Sequence, residues 1–370
     1  MNLLILFSQP WRVGGAETHV EALLKGLAAD RVFLAVNEGS DEIRLQELAR
    51  RYPKMTLVKI QARGMNVCRW RSDIKKLAAL IKAEEIEVIA AQQRTAGIWA
   101  YFLHKSTQIP YTVTMHDPWH RAKFKAVYPK LFPVIFAVSQ NLAAVLRADF
   151  GFAPGQIRLI NNGIDFSEFV PAAKAAAREK LGLAPDDKII LHVSRLSRIK
   201  GEVSLKIIGA MEAVCQAEPK AKLVIIGEGP LRGEINRQAE AFNEKYEDRI
   251  HVRDFVCEIR DWYNVADILI GEGRVAMETL ACERPIVAIR NGVSFIGAIR
   301  AANIAYACDV NFDGKDQRVT GENLAAAVVE AMAVPASESA QIGEYIKSRL
   351  SLEKMTADYR QVFAEITQHN

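Results

Sequence analysis

The sequence of 370 residues predicts an α/β chain with two doubly wound parallel-sheet domains in tandem. Three observations point there. Short apolar runs rich in β-branched residues alternate with longer segments of helical period, the pattern of βαβ units. The alternation occurs twice, interrupted between Asn161 and Asp187 by an Ala/Lys-rich helical stretch, Ala172–Leu181, and then Ala184-Pro185-Asp186-Asp187. The length also exceeds one ordinary core of roughly 150 to 200 residues, and with 50% apolar residues the chain can fill two.

In the first half the spacing predicts strands at Asn2–Ser8, Val32–Val36, Leu57–Ile60, Val88–Ala90, Tyr111–Thr114, Val134–Val138 and Arg158–Ile160. Helices are predicted at Ala16–Ala28, Asp41–Arg51, Asp73–Lys82, Ala96–His104 and Gln140–Phe150. The second half opens with Lys188–Val193 and continues with Leu223–Ile226, Ile250–Val252, Ile268–Ile270 and Pro285–Ala288. Its helices are predicted at Val203–Cys215, Leu231–Glu244, Glu258–Val265, Val275–Cys282 and Glu322–Ala333, and the tail from Ser337 is helical in pattern. The domains divide as residues 1–165 and 166–345. In open parallel sheets ligands bind beyond the carboxyl ends of the strands, so two such domains are expected to face a central cleft. Function is therefore sought in the turns that follow strands.

Composition narrows the field. Charged residues are 25% of an ordinary globular composition, which excludes a disordered chain. Cys68, Cys215, Cys257, Cys282 and Cys308 form no C-x-x-C pair and read as reduced, mostly buried thiols. Leu3–Phe7 is too short for a signal segment, and no stretch approaches the roughly 18 apolar residues of a spanning helix. A cytoplasmic protein is expected, at most resting on a membrane. Residues 1–165 carry 22 basic against 14 acidic side chains, with Arg69, Arg71, Lys75, Lys76, His120, Arg121, Lys123, Lys125 and Lys130 concentrated between 65 and 130. Such a half suits an anionic lipid surface or a phosphorylated acceptor, or is an ordinary solvated face. No aromatic platform or recognition helix accompanies it, which argues against nucleic acid.

Several turns can carry chemistry. Gly14-Gly15 leads from the first strand into a helix, where close-approaching amides favour an anion. Arg195 and Lys200 flank the turn after Lys188–Val193 and can converge on one anionic group, although solvated basic residues would look the same. Gly227-Glu228-Gly229-Pro230 closes the next strand without the full G-x-G-x-x-G spacing of a dinucleotide fold. In Gly271-Glu272-Gly273-Arg274-Val275 the amides of Gly273, Arg274 and Val275 start a helix and suit a phosphate. Glu278, inside so apolar a helix, reads as a ligand contact rather than a surface charge. His116 follows the strand Tyr111–Thr114 at a domain edge.

Taken in order, these segments resemble the retaining nucleotide-sugar glycosyltransferases of the GT-B fold, family four. The resemblance rests on Gly14-Gly15-Ala16-Glu17, Thr114-Met115-His116-Asp117, Ala137-Val138-Ser139, Ile160-Asn161-Asn162-Gly163-Ile164-Asp165, Val193-Ser194-Arg195-Leu196 with Lys200-Gly201, Gly227-Glu228-Gly229-Pro230-Leu231, and Ala266-Asp267-Ile268 with Glu278-Thr279-Leu280-Ala281-Cys282. It implies two Rossmann-like domains and a final segment, 346–370, that crosses back to the first. It also implies metal-independent transfer from an NDP-sugar with retained configuration, without a cofactor. His116, Arg195, Lys200 and Glu272 would act at the reaction centre. Gly14, Gly15, Arg195, Lys200, Gly227, Val256, Gly273, Arg274, Val275 and Glu278 would hold the donor.

Two departures stand out. The family's first glutamate, near the transferred sugar, is missing: the position is Ile270 in a shortened turn, and Glu272 is the substitute at hand. Glu283-Arg284 occupies a place where the family commonly has a glycine. The leading expectation is a hexosyltransferase acting on a glycan or lipid-linked acceptor in cell-envelope polysaccharide or lipopolysaccharide-type biosynthesis, peripheral at the inner face of the membrane. A non-catalytic nucleotide-sugar-binding protein stays open because of the Glu272 turn. An epimerase is disfavoured, since no acid/base set assembles from these turns.

Overall fold

The computed structural model describes residues 1–12, 14–61, 67–119, 122–256, 258–314 and 317–368, without the side chains of residues 67 and 68. Val13, His120, Arg121, Cys257 and the side chain of Cys68 lie outside the described residues. The chain forms two compact units, one of residues 1–163 with 350–370 and one of residues 164–349.

In unit 1, β1 (Asn2–Phe7) is followed by α1 (Gly15–Gly26), β2 (Arg31–Asn37), α2 (Glu42–Arg51), β3 (Met55–Ile60) and α3 (Val67–Ala83). The chain then crosses to the other side of β1 for β4 (Val88–Gln92), α4 (Arg94–Thr107), β5 (Tyr111–Met115), the short α5 (Tyr128–Leu131), β6 (Ile135–Ala137), α6 (Gln140–Val145) and β7 (Ile157–Leu159). The sheet order is β3-β2-β1-β4-β5-β6-β7, parallel throughout. Leu3 to Phe7 have no exposed surface, because helices cover both faces of the strand; that is why the run is apolar without alternation. Caps fix the helix starts: Asp41 accepts from the amides of Ile43 and Arg44, and Ser139 from that of Leu142.

Unit 2 begins with α7 (Lys174–Leu181) and β8 (Lys188–Val193), then α8 (Gly201–Ala217), β9 (Ala221–Ile226), α9 (Arg232–Tyr246), β10 (Ile250–Arg253), α10 (Ile259–Val265), β11 (Ile268–Gly271), α11 (Gly273–Ala281) and β12 (Ile286–Asn291). Then come β13 (Ser294–Ala298), α12 (Ile304–Asp309), α13 (Gly321–Met332) and α14 (Ala336–Leu350). The sheet order β10-β9-β8-β11-β12-β13 repeats the winding of unit 1. Asp267 ties its start together, accepting from Lys174 Nζ at 2.8 Å, Arg178 Nη2 at 2.7 Å and the Ile189 amide at 2.8 Å.

The structure departs from the sequence reading in four places. The segment Gln140–Phe150 is not one α-helix: α6 ends at Val145 and a π turn, Leu146–Phe150, closes on Gly151 at φ +78°. The helices α5 and α12 were not expected from a pattern so short. The antiparallel strand β13 was also missed; it pairs back on β12 through the two-residue link Gly292-Val293, where Asn291 Oδ1 accepts from the Val293 amide. Among the described residues no helix is long and apolar enough to cross a membrane.

The last helix, α15 (Leu352–Gln368), belongs to unit 1. Its Leu352, Met355, Tyr359, Val362 and Phe363 share one core with Leu3, Ile5, Phe7, Val20, Leu23 and Phe136. The buried Tyr359 hydroxyl lies 2.9 Å from His19 Nε2 and 3.1 Å from Thr114 Oγ1. His19 Nδ1 donates to Asn162 Oδ1 at 2.8 Å, so its Nε2 accepts from Tyr359, whose oxygen accepts from Thr114. Replacing Tyr359→Phe leaves that nitrogen unanswered in the core and is expected to lower stability by about 1–3 kcal/mol. Urea denaturation measures it, and a variant as stable as the parent would show that the hydroxyl carries none of this load.

Candidate functional site

The most distinctive turns of unit 2 lie at the carboxyl ends of β8, β9 and β11. The turns after β8 and β9 are laced by their backbones: the Ser194 amide donates to Ile226 O at 3.1 Å, Leu196 to Glu228 O at 2.8 Å and Leu231 to Leu196 O at 3.0 Å. A Cβ on Gly227 would sit 1.9 Å from Ser194 O, and one on Gly229 would sit 2.5 Å from the Leu196 carbonyl. Glycine stands there because two backbones touch. The lacing fixes Ser194 and Leu196 on either side of Arg195, whose exposed guanidinium forms no ion pair among the described residues.

Lys200 ends the same turn as the N-cap of α8, its amide bonded to Ser197 Oγ. Its ammonium reaches Glu272 Oε1 at 2.8 Å. Glu272 is the N-cap of α11 but does not cap with its side chain, and the first turn holds no acidic residue. The amides of Gly273, Arg274 and Val275 therefore start the helix without a side-chain acceptor, as an anion site requires. Gly273 takes φ +56°, which an L side chain adopts only with strain. The Lys200–Glu272 contact brings the α8 and α11 starts to one place.

Glu278 is buried, and both its oxygens are engaged inside unit 2: Arg274 Nε donates to one at 2.6 Å and the Tyr263 hydroxyl to the other at 2.8 Å. Burial raises its pKa, opposed by Arg274 and by the Tyr263 hydrogen bond. Arg274 thus grips Glu278 along the helix, while Val275 is partly buried. Val256 lies in the loop after β10, beside the exposed Phe255.

Sequence reasoning missed His192. Its Nδ1 donates to Ile270 O at 2.8 Å, and its buried Nε2 has no hydrogen-bond partner. Burial, opposed by that hydrogen bond and reinforced by Lys200, brings its pKa down to about 4. A histidine in an otherwise apolar strand was the available signal.

In unit 1, Gly14 is the N-cap of α1, and the space where a Gly15 side chain would stand is open. His116 follows β5 and is partly buried, its Nε2 2.8 Å from Gln92 Oε1. An amide oxygen only accepts, so His116 carries its proton on Nε2 and leaves Nδ1 as an acceptor. Enclosure lowers its pKa well below the usual histidine range, and His19, edge-on at 4.7 Å between ring centres, adds to that. Gln92, an amide closing a buried strand, sets the tautomer and was likewise missed. Among the described residues no group of three or more His, Cys, Asp or Glu could hold a metal ion.

Residues 13–168 match the description Glycosyltransferase Family 4, and residues 173–317 match Glycosyl transferases group 1. The chain belongs to glycosyltransferase family 4. A D-inositol 3-phosphate glycosyltransferase 2 of Catenulispora acidiphila is 31% identical over 172 residues, 43% of this chain and 40% of that protein. The chain thus spans well under two thirds of that relative's length. A glycosyltransferase from Rickettsia africae has the same fold, with TM-score 0.79, 16% identity and coverage of 100% of this chain and 99% of the other. Anabaena HepE in complex with UDP follows at TM-score 0.76, 16% identity and coverage of 99% and 100%. These likenesses establish the GT-B fold for this family 4 member.

The glycine that the family commonly has after α11 finds its explanation here: Glu283 adopts φ +54°, a left-handed helix exit. Two predictions follow from unit 2. Gly227→Ala drives a methyl into Ser194 O, and overpacking of this kind costs about 1–3 kcal/mol; an unchanged urea midpoint would contradict the tight turn. His192 has a depressed folded pKa, so its contribution is whole above the ordinary histidine value and is lost as pH falls from 6.5 towards about 4. Stability should decline through that window. His192→Gln should flatten the decline, and an equally steep profile would refute the assignment.

Proposed function

We propose that this chain is a retaining hexosyltransferase that takes a sugar from an NDP-sugar and passes it to a glycan or lipid-linked acceptor. The observation that carries the reading is the Lys200–Glu272 contact, which joins a cationic turn to an uncapped helix start in unit 2. A diphosphate gains charge as its bond to the sugar carbon breaks. Arg195, Lys200 and the amides of Gly273, Arg274 and Val275 supply donors for that charge without reorganising. Gly227 lets the β8 turn lie close, and Glu278 holds Arg274 in place; a ribose hydroxyl can use its remaining lone pairs. No metal is needed for this charge balance.

Retention requires the acceptor hydroxyl to reach the sugar carbon from the face that the diphosphate leaves. The new bond is then carbon to acceptor oxygen, and the broken one is carbon to phosphate oxygen, which keeps the electron pair and can take the acceptor's proton. His116, neutral with Nδ1 free to accept, suits a donor-sugar hydroxyl. The basic residues of unit 1 and the named activity of the Catenulispora relative, on an inositol phosphate, support an anionic acceptor; an envelope-type acceptor at the cytoplasmic membrane face is the form of it that the basic half suits.

A second reading has its own support. Because Lys200 is already paired with Glu272, a diphosphate must share it, and the chain could bind nucleotide sugar without transferring it. Incubation with UDP-, GDP- and ADP-sugars separates the two. The transferase reading expects diphosphate release from one donor, reduced about 10²–10³-fold in kcat by Arg195→Ala or Lys200→Ala, a loss of about 2.7–4 kcal/mol. Binding with silence for every donor establishes the second reading, and full turnover in both variants removes these two cations from the reaction.

A further inference from the structure

The start of α11 has a second set of polar neighbours, which the charge balance of a diphosphate leaves unused. They come from the chain leaving α12, Asn311 to Asp313, and from Arg290 and Ser294 on either side of the β12–β13 link. The end of β11 adds no polar side chain of its own, since Ile270 is packed in the core of unit 2 and Gly271 has none.

Phe312 anchors this segment. It has no exposed surface, and its amide donates to Ala307 O at 2.7 Å. Asn311 and Phe312 both hold left-handed backbone, at φ +56° and +59°, which asparagine tolerates and a bulky side chain adopts only where its surroundings enforce it. The double turn sets Asn311 against α11, its Nδ2 3.5 Å from the point where a Cβ on Gly273 would stand. That carboxamide is partly exposed and forms no hydrogen bond among the described residues. Asp313 comes next and is mostly buried: Arg290 Nη1 donates to one of its oxygens, and the Ser294 hydroxyl bonds the carboxylate as well. Burial raises its pKa, opposed by Arg290, and the charge of Glu272 adds to the rise. The Asp313 carboxylate thus stands within electrostatic reach of Glu272 at the helix start.

We propose that Asn311 and Asp313 read the hydroxyls of the transferred sugar and so set which hexose the chain accepts. This rests on the donor reading above and names the residues that choose its sugar. The sugar is bonded directly to a phosphate oxygen, so a diphosphate seated on the Gly273, Arg274 and Val275 amides holds the ring beside the helix start, within reach of Asn311. Donors and acceptors then decide which part of the donor belongs here. The Asp313 and Glu272 carboxylates and Asn311 Oδ1 only accept, as do the oxygens of a diphosphate, so a phosphate at this place would meet like charge with one amide group to hold it. Sugar hydroxyls donate as well as accept: they can give to the carboxylates and to Asn311 Oδ1 and take from Asn311 Nδ2. A site built on such bonds rejects the wrong epimer, because a misplaced hydroxyl leaves a polar group unanswered.

The test is calorimetric titration of the full chain with UDP-, GDP- and ADP-glucose, each beside its bare nucleoside diphosphate and its galactose or mannose epimer. For the nucleotide that binds, the epimers should differ in affinity by about tenfold or more. Asn311→Gly, which suits the left-handed backbone, and Asp313→Asn, which can still accept from Arg290, should each bring that ratio towards one. The affinity for the bare diphosphate should stay as in the parent chain, and the melting temperature of Asn311→Gly should not fall. A ratio that survives both substitutions, or a parent chain that does not tell the epimers apart, overturns the proposal and leaves the donor reading standing. An equal loss for the bare diphosphate also overturns it, since Asn311 would then be a phosphate contact. Absence of binding by every nucleotide brings down the donor reading and this assignment with it.

Discussion

Two turns of unit 2 lie against each other with no room for a methyl group between them. Gly227 abuts Ser194 O and Gly229 abuts the Leu196 carbonyl, while three backbone hydrogen bonds lace the pair. Arg195 owes its fixed base to this contact, and Lys200 owes its position at the head of α8 to the same turn. A loop held only by its own side chains would let the two cations wander, and a charge that wanders gives up much of its effect on a leaving group. The catalytic proposal therefore depends on packing between uncharged backbone groups, those on either side of Arg195 and the two glycines that face them.

Both units tie buried polar groups into closed sets. In unit 2 the charges are answered: Asp267 meets Lys174 and Arg178, and Glu278 meets Arg274 and Tyr263. Such sets hold their members rigid because losing any one strands the others. In unit 1 the Thr114–Tyr359–His19–Asn162 relay is equally closed. Single buried polar atoms are left without a partner in both units, among them the Ser8 hydroxyl, Gln93 Oε1 and the Trp70 and Trp99 indoles in unit 1, and His192 Nε2 and the Ser204 hydroxyl in unit 2.

Both sheets could be read from the residues because parallel strands covered on both faces must be continuous apolar runs, and Leu3–Phe7 or Ile189–Leu191 admit little else. The strand β13 escaped because nothing in Ser294–Ala298 differs from a loop until Asn291 and Gly292 are recognised as a reversal. The turns after β8, β9 and β11 were legible through their glycines and cations. Glu278 was legible as buried, but its partners were not, since Tyr263 comes from another helix and only the fold brings it close. Ile270 O fixes the proton of His192 and Gln92 Oε1 that of His116, and neighbours of that kind are set by strand pairing rather than by spacing along the chain.

The path of the chain carries a consequence for its birth on the ribosome. Unit 2 is one uninterrupted stretch, whereas the core of unit 1 is finished by Tyr359, Val362 and Phe363 on the last helix. Synthesis runs from the amino end, so the earlier-made domain must wait, with its α1 flank open, while the later-made one can already close. The nascent polypeptide thus exposes an apolar face for the time needed to translate some two hundred further codons, roughly 10 to 40 seconds at ordinary elongation rates. Chaperone demand should concentrate in that interval, on the half of the molecule that emerged first.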